Sequence, residues 1–378
     1  MFRAPRSPFF RMNKLVFANL LHRPMRSIIS VFAVAIEVIM ILSIVAIFMG
    51  MLNDQKTRTN GIGADLLLWP SNSSYMNGIS GAPMPVKLAD FLRKLPHVQA
   101  VSPAITNLTT QGKIEIVYGI DFKSFDALKP FQFIAGGPFE QPYDVIVDDI
   151  QANSTPPLHV GDTIKILKHS FRVCGIVLHG KGGRKLIPID TMGDLTGSAG
   201  KASVFYIKVD DPANREAVVN EIHATAGLQD YPVQTIDEWL ATMTPDKLPG
   251  FNIALRVITG IAVIIGFLVI FQSMYTAVLE RTREIGILKS MGASKATIVG
   301  VVLRESAVLA VAGIIVGIVG TFGVRMLMAH FFPTLHFEIT ADWMGRAALI
   351  AFVGAIAGAL YPAWMAARKD PIDALAYE

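Results

Sequence analysis

The stretch SIISVFAVAIEVIMILSIVAIFMGML, Ser27 to Leu52, decides the fold. It carries one ionisable side chain, Glu37, in a run of aliphatic and small residues. A hydrocarbon core about 30 Å thick needs roughly 20 such residues in an α-helix. Lipid offers backbone N–H and C=O groups no partner, so the run must be helical. It is too long for the apolar part of a signal peptide and shows no Ala-x-Ala site before Asn53, so it reads as an uncleaved span. Working outward, the preceding residues include Arg3, Arg6, Arg11, Lys14, Arg23 and Arg26. Such a cluster stays on the cytoplasmic side and places the N-terminus inside. Within this 1–26 segment, Leu15, Ala18 and Leu21 fall at helical spacing over Asn13–His22, which predicts a short amphipathic helix on the inner leaflet.

Three further runs have spanning length: Phe251–Leu279, most of Ala296–Met328, and Trp343–Trp364. Alternation then puts 53–250 outside, 280–295 inside, the short 329–342 segment outside and the 365–378 tail inside. The two inner pieces hold Arg281, Arg283, Lys289 and Lys295, and Arg368 and Lys369, as the positive-inside rule requires. Trp343 and Trp364 close the two ends of the last span, where an amphipathic ring prefers the interface. The expected fold is therefore membrane α-helical, with four transmembrane helices, both termini inside, and a large extracytoplasmic domain between helices 1 and 2. The composition agrees: 52% of the 378 residues are hydrophobic and 17% charged, and the shift is concentrated in those runs. The net charge of +4 comes largely from span flanks, with no basic and aromatic stripe suited to nucleic acid. The single cysteine, Cys174, rules out an intrachain disulfide and a CxxC motif.

Residues 53–250 change character. Strand-like runs at Asp65–Trp69, Lys113–Ile120, Asp144–Val147, Thr163–Leu167, Phe171–Val177 and Ser203–Val209 mix with helix-like runs at Lys87–Leu95 and Asn214–Ala226. No βαβ repeat organises them, so the domain is expected to be α+β. Gly161–Val177 reads as a hairpin turning near His169 and Ser170. Ser71–Pro85 reads as a loop. The histidines are scattered, without HExxH, and there is no GxSxG elbow. Asp148 and Asp149 are adjacent and, on a strand, would point to opposite faces, a poor acid/base couple. The glycine-rich basic loop His179–Lys185 reads as a solvated hairpin loop, with anion binding as its sharper alternative. Nothing in the chain matches GxxxxGK[ST], so no phosphate cradle for ATP is expected and the chain is read as no enzyme by itself.

The segment between the second and third spans is ERTREIGILKSMGAS, Glu280–Ser294. The chain ends on YPAWMAARKDPIDAL, Tyr361–Leu375. Together these resemble the signature and closing motifs of the FtsX-like permease superfamily, which includes macrolide-exporter, lipoprotein-release and haem-exporter-type membrane subunits of ABC transporters. Gly63-Ala-Asp65 and Asn19–Arg26 are shorter echoes, and the order of spans and outer domain also fits. The resemblance implies an inner-membrane permease subunit of an ATP-driven exporter of an amphiphilic or large substrate. ATP and Mg would be held by a separate cytoplasmic ATPase, two copies beside a homodimer of this chain, with no cofactor here. Membrane lipids, and an adaptor or outer-membrane component, are further partners it allows. The other class it allows is a mechanotransmitter that regulates an extracytoplasmic enzyme or sensor without moving a substrate.

The residues fit a docking role. Arg283–Met291 can form a short helix with Ile287 and Met291 one turn apart and Ile285 and Leu288 close by. Gly292 suits the position after a helix end, and Ser294 suits the start of the third span. The ATPase-coupling set is thus Glu280, Arg281, Arg283, Glu284, Ile287, Leu288, Met291 and Gly292, with the arginines as rim charges. Gly313 with Gly317, and Gly354 with Gly358, are GxxxG pairs for close helix packing within or between subunits. Glu37, near the bilayer midplane, is the candidate intramembrane polar site, with Gln272 of the second span as its candidate partner.

Overall fold

The computed structural model describes residues 24–71, 84–109, 115–244, 247 and 251–369. The amphipathic segment Asn13–His22, most of the Ser71–Pro85 loop and the last part of the closing motif lie outside these residues. In chain order the first elements are α1 (Pro24–Asn60), β1 (Leu66–Leu68), β2 (Met84–Pro85), α2 (Leu88–Leu92), β3 (Val98–Thr109), β4 (Glu115–Ile120), α3 (Phe122–Leu128), β5 (Phe133–Gly136), β6 (Asp144–Asp148) and α4 (Asp149–Ala152). Then follow β7 (Thr163–Ile166), β8 (His169–Val177), β9 (Lys185–Pro188), α5 (Ile189–Thr196), β10 (Lys201–Ala202), β11 (Val204–Val209), α6 (Arg215–Ala224), β12 (Val233–Thr235) and α7 (Ile236–Thr242). The chain closes with α8 (Phe251–Glu280), α9 (Thr282–Ser290), α10 (Lys295–Phe331) and α11 (Ala341–Arg368). Two compact units result: 24–49, 251–328 and 337–369 in one, 50–248 and 329–336 in the other.

In the membrane unit, α1, α8, α10 and α11 are long and apolar enough to span. Their shared core takes Val34, Val38 and Ile41 from α1, Ile270 and Met274 from α8, and Leu309 and Ile314 from α10. From α11 it takes a column of alanines, Ala347, Ala351, Ala355, Ala359 and Ala363, all fully buried. Packing between spans rests on close van der Waals fit rather than on water exclusion, and small residues let backbones approach. A Cβ on Gly313 would lie 2.6 Å from Val34 Cβ, and one on Gly317 2.7 Å from Val38 Cβ. A Cβ on Gly358 would lie 2.7 Å from Phe267 O. Both glycine pairs therefore join helices within one chain, α10 to α1 and α11 to α8.

The outer unit is built on a sheet in the order β12-β1-β11-β3-β4-β9-β6-β8-β5, with β7 also on β8. Most pairs are antiparallel; β4 with β9 and β6 with β8 are parallel. The longest strand, β3, next to the centre of the sheet, escapes sequence reading. Pro103 sits within it opposite Phe205, and proline in a run argues against a central strand. Residues 101–106 of β3 are continuously buried, so alternation is absent as well. The expected hairpin forms as β7–β8, but its turn falls at Leu167 and Lys168, both at positive φ (49° and 69°). That geometry normally selects Asn or Gly, so the residues there did not announce it.

The His179–Lys185 loop is not a solvated one. Lys181 is 8% exposed, donates to Phe125 O at 3.1 Å and to Lys129 O, and lies 3.9 Å from the Phe131 ring centroid. It closes the C-terminal end of α3, where free carbonyls favour a cation. Asp148 caps α4 through Gln151 N at 2.7 Å and pairs with Arg184, whereas Asp149 accepts from His179. The two carboxylates are thus separately occupied.

Candidate functional site

The helix breaks after α8 at one residue, Arg281, whose φ of −108° and ψ of 16° leave the helical region. The Thr282 hydroxyl donates back to Val278 O at 3.1 Å and Leu279 O at 2.8 Å, occupying carbonyls the helix end leaves open. The α9 helix then runs for two and a half turns with two unlike faces. Ile285 is buried and Leu288 packs on the helical core. Arg283, Glu284, Ile287, Ser290 and Met291 are exposed, Ile287 at 43% and Met291 at 71%. Positions 283, 287 and 291 repeat every four residues, so they form one stripe. Gly292, at a φ of 94°, ends the helix, and Ser294 Oγ accepts from Thr297 N at 3.2 Å to start α10. Lys289 Nζ donates to Ala367 O at 3.1 Å and to Lys369 O, binding α9 to the end of α11.

Four charges lock the other side. Arg26 of α1 meets Glu280 of α8 at 3.4 Å and Glu305 of α10 at 3.1 Å. Arg281 reaches the same Glu305 at 3.1 Å. The Glu305 side chain is 4% exposed, the two arginines 15% and 12%. A carboxylate this buried in a span must be paired, and here it pairs with two guanidiniums, one from α1 and one from the α8–α9 junction. The result is an exposed stripe on a short helix fastened to α10 and α11, with α1 tied to the same Glu305.

Of the residues expected to couple, Arg283, Glu284, Ile287 and Met291 form the outward face. Arg281 does not: it turns inward to Glu305, and so it is a fastening charge rather than a rim charge. Glu280 pairs with Arg26, Leu288 faces the core, and Gly292 shapes the end. Glu305 and Arg26 went unassigned, although a carboxylate inside an apolar run is a signal in itself. Their separation of 279 positions hides the pairing.

Glu37 and Gln272 are not brought together. Glu37 is 3% exposed and packs on Gly266, where a Cβ would fall 1.8 Å from its Oε2. Its Oε1 is buried without a hydrogen-bond partner among the described residues. Seven residues earlier on α1, Ser30 bonds Ser273 at 2.6 Å, which fixes the α1–α8 register. That register sets Gln272 nearly two turns from Glu37, in a groove of about 710 Å³ shared with Met25, Ile29, Leu268 and Thr276.

Comparison with known proteins decides the family. The pattern of the MacB-like periplasmic core domain matches residues 27–225, and that of the FtsX-like permease C-terminal region matches 256–371. The chain belongs to the FtsX-like permeases. It is a multi-pass membrane permease carrying a MacB-like periplasmic core domain between its first two spans. It is 30% identical over 233 residues to an uncharacterised ABC transporter permease of Methanocaldococcus jannaschii, covering 58% of each chain. It is 24% identical to the macrolide export ATP-binding/permease protein MacB of Neisseria meningitidis, covering 98% of this chain and 61% of that one. It is also 24% identical to the uncharacterised permease YknZ of Bacillus subtilis, covering 97% and 98%. The permease thus spans about three fifths of the length of the first two relatives.

Proposed function

We propose that this permease is the membrane subunit of an ATP-driven ABC exporter, and that α9 docks on a separate cytoplasmic ATPase subunit. The observation that carries the reading is the stripe of Arg283, Ile287 and Met291, exposed on a helix whose opposite side is fastened to two spans, α10 through Arg281 and α11 through Lys289. A flexible loop would absorb a push from a partner; a fastened helix passes it on to α10 and α11, and through Glu305 to Arg26 of α1. Apolar side chains ringed by charge are the usual composition of a protein contact. The relative in Neisseria meningitidis carries both ATP-binding and permease in its name, whereas this sequence has no phosphate-binding loop. The Bacillus subtilis relative, covered to 98% of its length, is named a permease alone. On that pattern ATP and Mg would be held by a partner, two copies serving a homodimer. Both termini would be cytoplasmic and 53–250 outside. An amphiphilic or large substrate suits a machine with a large outer domain and a solidly packed helical core.

Co-purification tests the reading. The wild-type chain should retain an ATPase subunit encoded beside it, and Ile287→Asp with Met291→Asp should lower retention at least tenfold while the permease inserts normally. Retention unchanged by both substitutions would remove α9 from the contact.

A further inference from the structure

We propose that Arg184 is the joint through which α1 holds the outer sheet, so that displacement of α1 reaches the substrate-facing domain at this residue. The inference rests on the ATP-driven reading above and adds to it the place where the helix grips the sheet. The α1 helix runs without a break from Arg26, in the inner ion cluster, to Asn60. Its 37 residues are well over the roughly 20 that a hydrocarbon core about 30 Å thick requires, so the helix is longer than a span. Asp54 and Arg58 then fall on one face of its last turns, Gly61 follows just past its end, and the loop between β8 and β9 lies against them.

Three independent contacts make the grip. The Arg184 guanidinium donates to Asp54 Oδ2 of α1 and to Asp148 Oδ2 at the end of β6, each at 3.0 Å. It also donates to Thr334 O at 3.3 Å, in the 329–336 segment that belongs to the same unit. Gly182 N donates to Arg58 O at 2.9 Å, taking a carbonyl from the last turn of α1. A Cβ on Gly61 would lie 1.6 Å from Gly180 O, so loop and helix backbones touch with no room for a side chain. Arg184, Asp54 and Asp148 are 12%, 13% and 4% exposed, and water cannot readily substitute for any of them. A planar guanidinium reaches two carboxylates and a carbonyl at once; a lysine cannot. The carboxylates come from different elements, which is what a joint requires and what a single-element surface pair lacks.

Hydrogen–deuterium exchange on the full chain in nanodiscs tests this, with its ATPase bound and with or without a non-hydrolysable ATP analogue. In the wild type the analogue should change exchange both in 54–60 and in 144–188. Arg184→Gln should keep the ATPase bound and the change in 54–60, while the change in 144–188 falls at least tenfold and β3 stays protected. Arg184→Lys should not restore it. Should Arg184→Gln fail to fold, Asp54→Asn serves instead, because it leaves the Arg184–Asp148 pair of the sheet in place. An undiminished response in 144–188 in the variant overturns the proposal, as does a wild-type response confined to 54–60. Failure of the ATPase to bind would strike the exporter reading, and the joint is then judged without nucleotide. There Arg184→Gln should raise exchange at least tenfold in both 54–58 and 334–336, and unchanged rates in either segment would overturn it.

Discussion

Replacing Glu305 by glutamine keeps the side-chain shape and removes the charge that Arg26 and Arg281 share. Both guanidiniums lie 3.1 Å from this carboxylate and are largely buried, so neither can turn to bulk water without moving its helix. Leaving a buried charge uncompensated costs about 3–5 kcal/mol. Two cations on one carboxylate are within about 6 Å of each other, which at an effective dielectric of 20 adds roughly 3 kcal/mol of repulsion once the anion is gone. Arg26 retains Glu280 at 3.4 Å, which offsets part of this, so a net loss of about 3 kcal/mol is expected. The loss should appear as a lower thermal midpoint of the detergent-solubilised permease and as weaker retention of the ATPase, since α9 loses its anchor. Arg283→Glu is the control: this exposed residue should weaken retention tenfold or more and leave the midpoint alone. A double-mutant cycle with Arg281→Gln isolates the pair. If the two substitutions add within about 0.5 kcal/mol, the charges act independently and the reasoning about a fastened docking helix fails.

Other outcomes follow from single contacts. Gly266→Ala should destabilise the membrane unit, because its Cβ would fall 1.8 Å from Glu37 Oε2, and Glu37→Ala should rescue it; equal melting of Gly266→Ala and wild type would contradict this close approach. Burial holds Lys181 at about 8 against an ordinary 10.5, so the unfolded chain binds the extra proton between those values. Stability of the outer domain should therefore rise from pH 8 to 10.5, by at most about 3 kcal/mol, and Lys181→Met should abolish the rise in pH-dependent urea melts. The Cys174 thiol is buried and pushed up to about 12, so a membrane-impermeant maleimide should ignore it in the native chain. In intact spheroplasts the same reagent should label it after mild unfolding of the outer domain. Labelling that needs a breached membrane would reverse the topology.

Much of the permease was legible residue by residue. The four spans follow from run length, because lipid forces any long apolar stretch to satisfy its own backbone. The end of α9 and the start of α10 follow from Gly292 and Ser294, whose backbone preferences are local. The α+β character of 53–250 followed from short strand-like and helix-like runs without a βαβ repeat, all of them local patterns. What could not be read are the pairings across the chain. Arg281 looked like a surface charge until α10 placed Glu305 beside it, 24 positions away. Gln272 shares polarity with Glu37, but the α1–α8 register faces Glu37 with a glycine instead. The 179–185 loop has the composition of solvated chain, yet Lys181 and Gly182 are buried where α3 and α1 supply carbonyls to the lysine and the amide. Apolar periodicity is written in adjacent residues, whereas a charge is indifferent to which of many opposite charges it meets. That choice belongs to the packing of the helices and strands, and only the tertiary structure makes it.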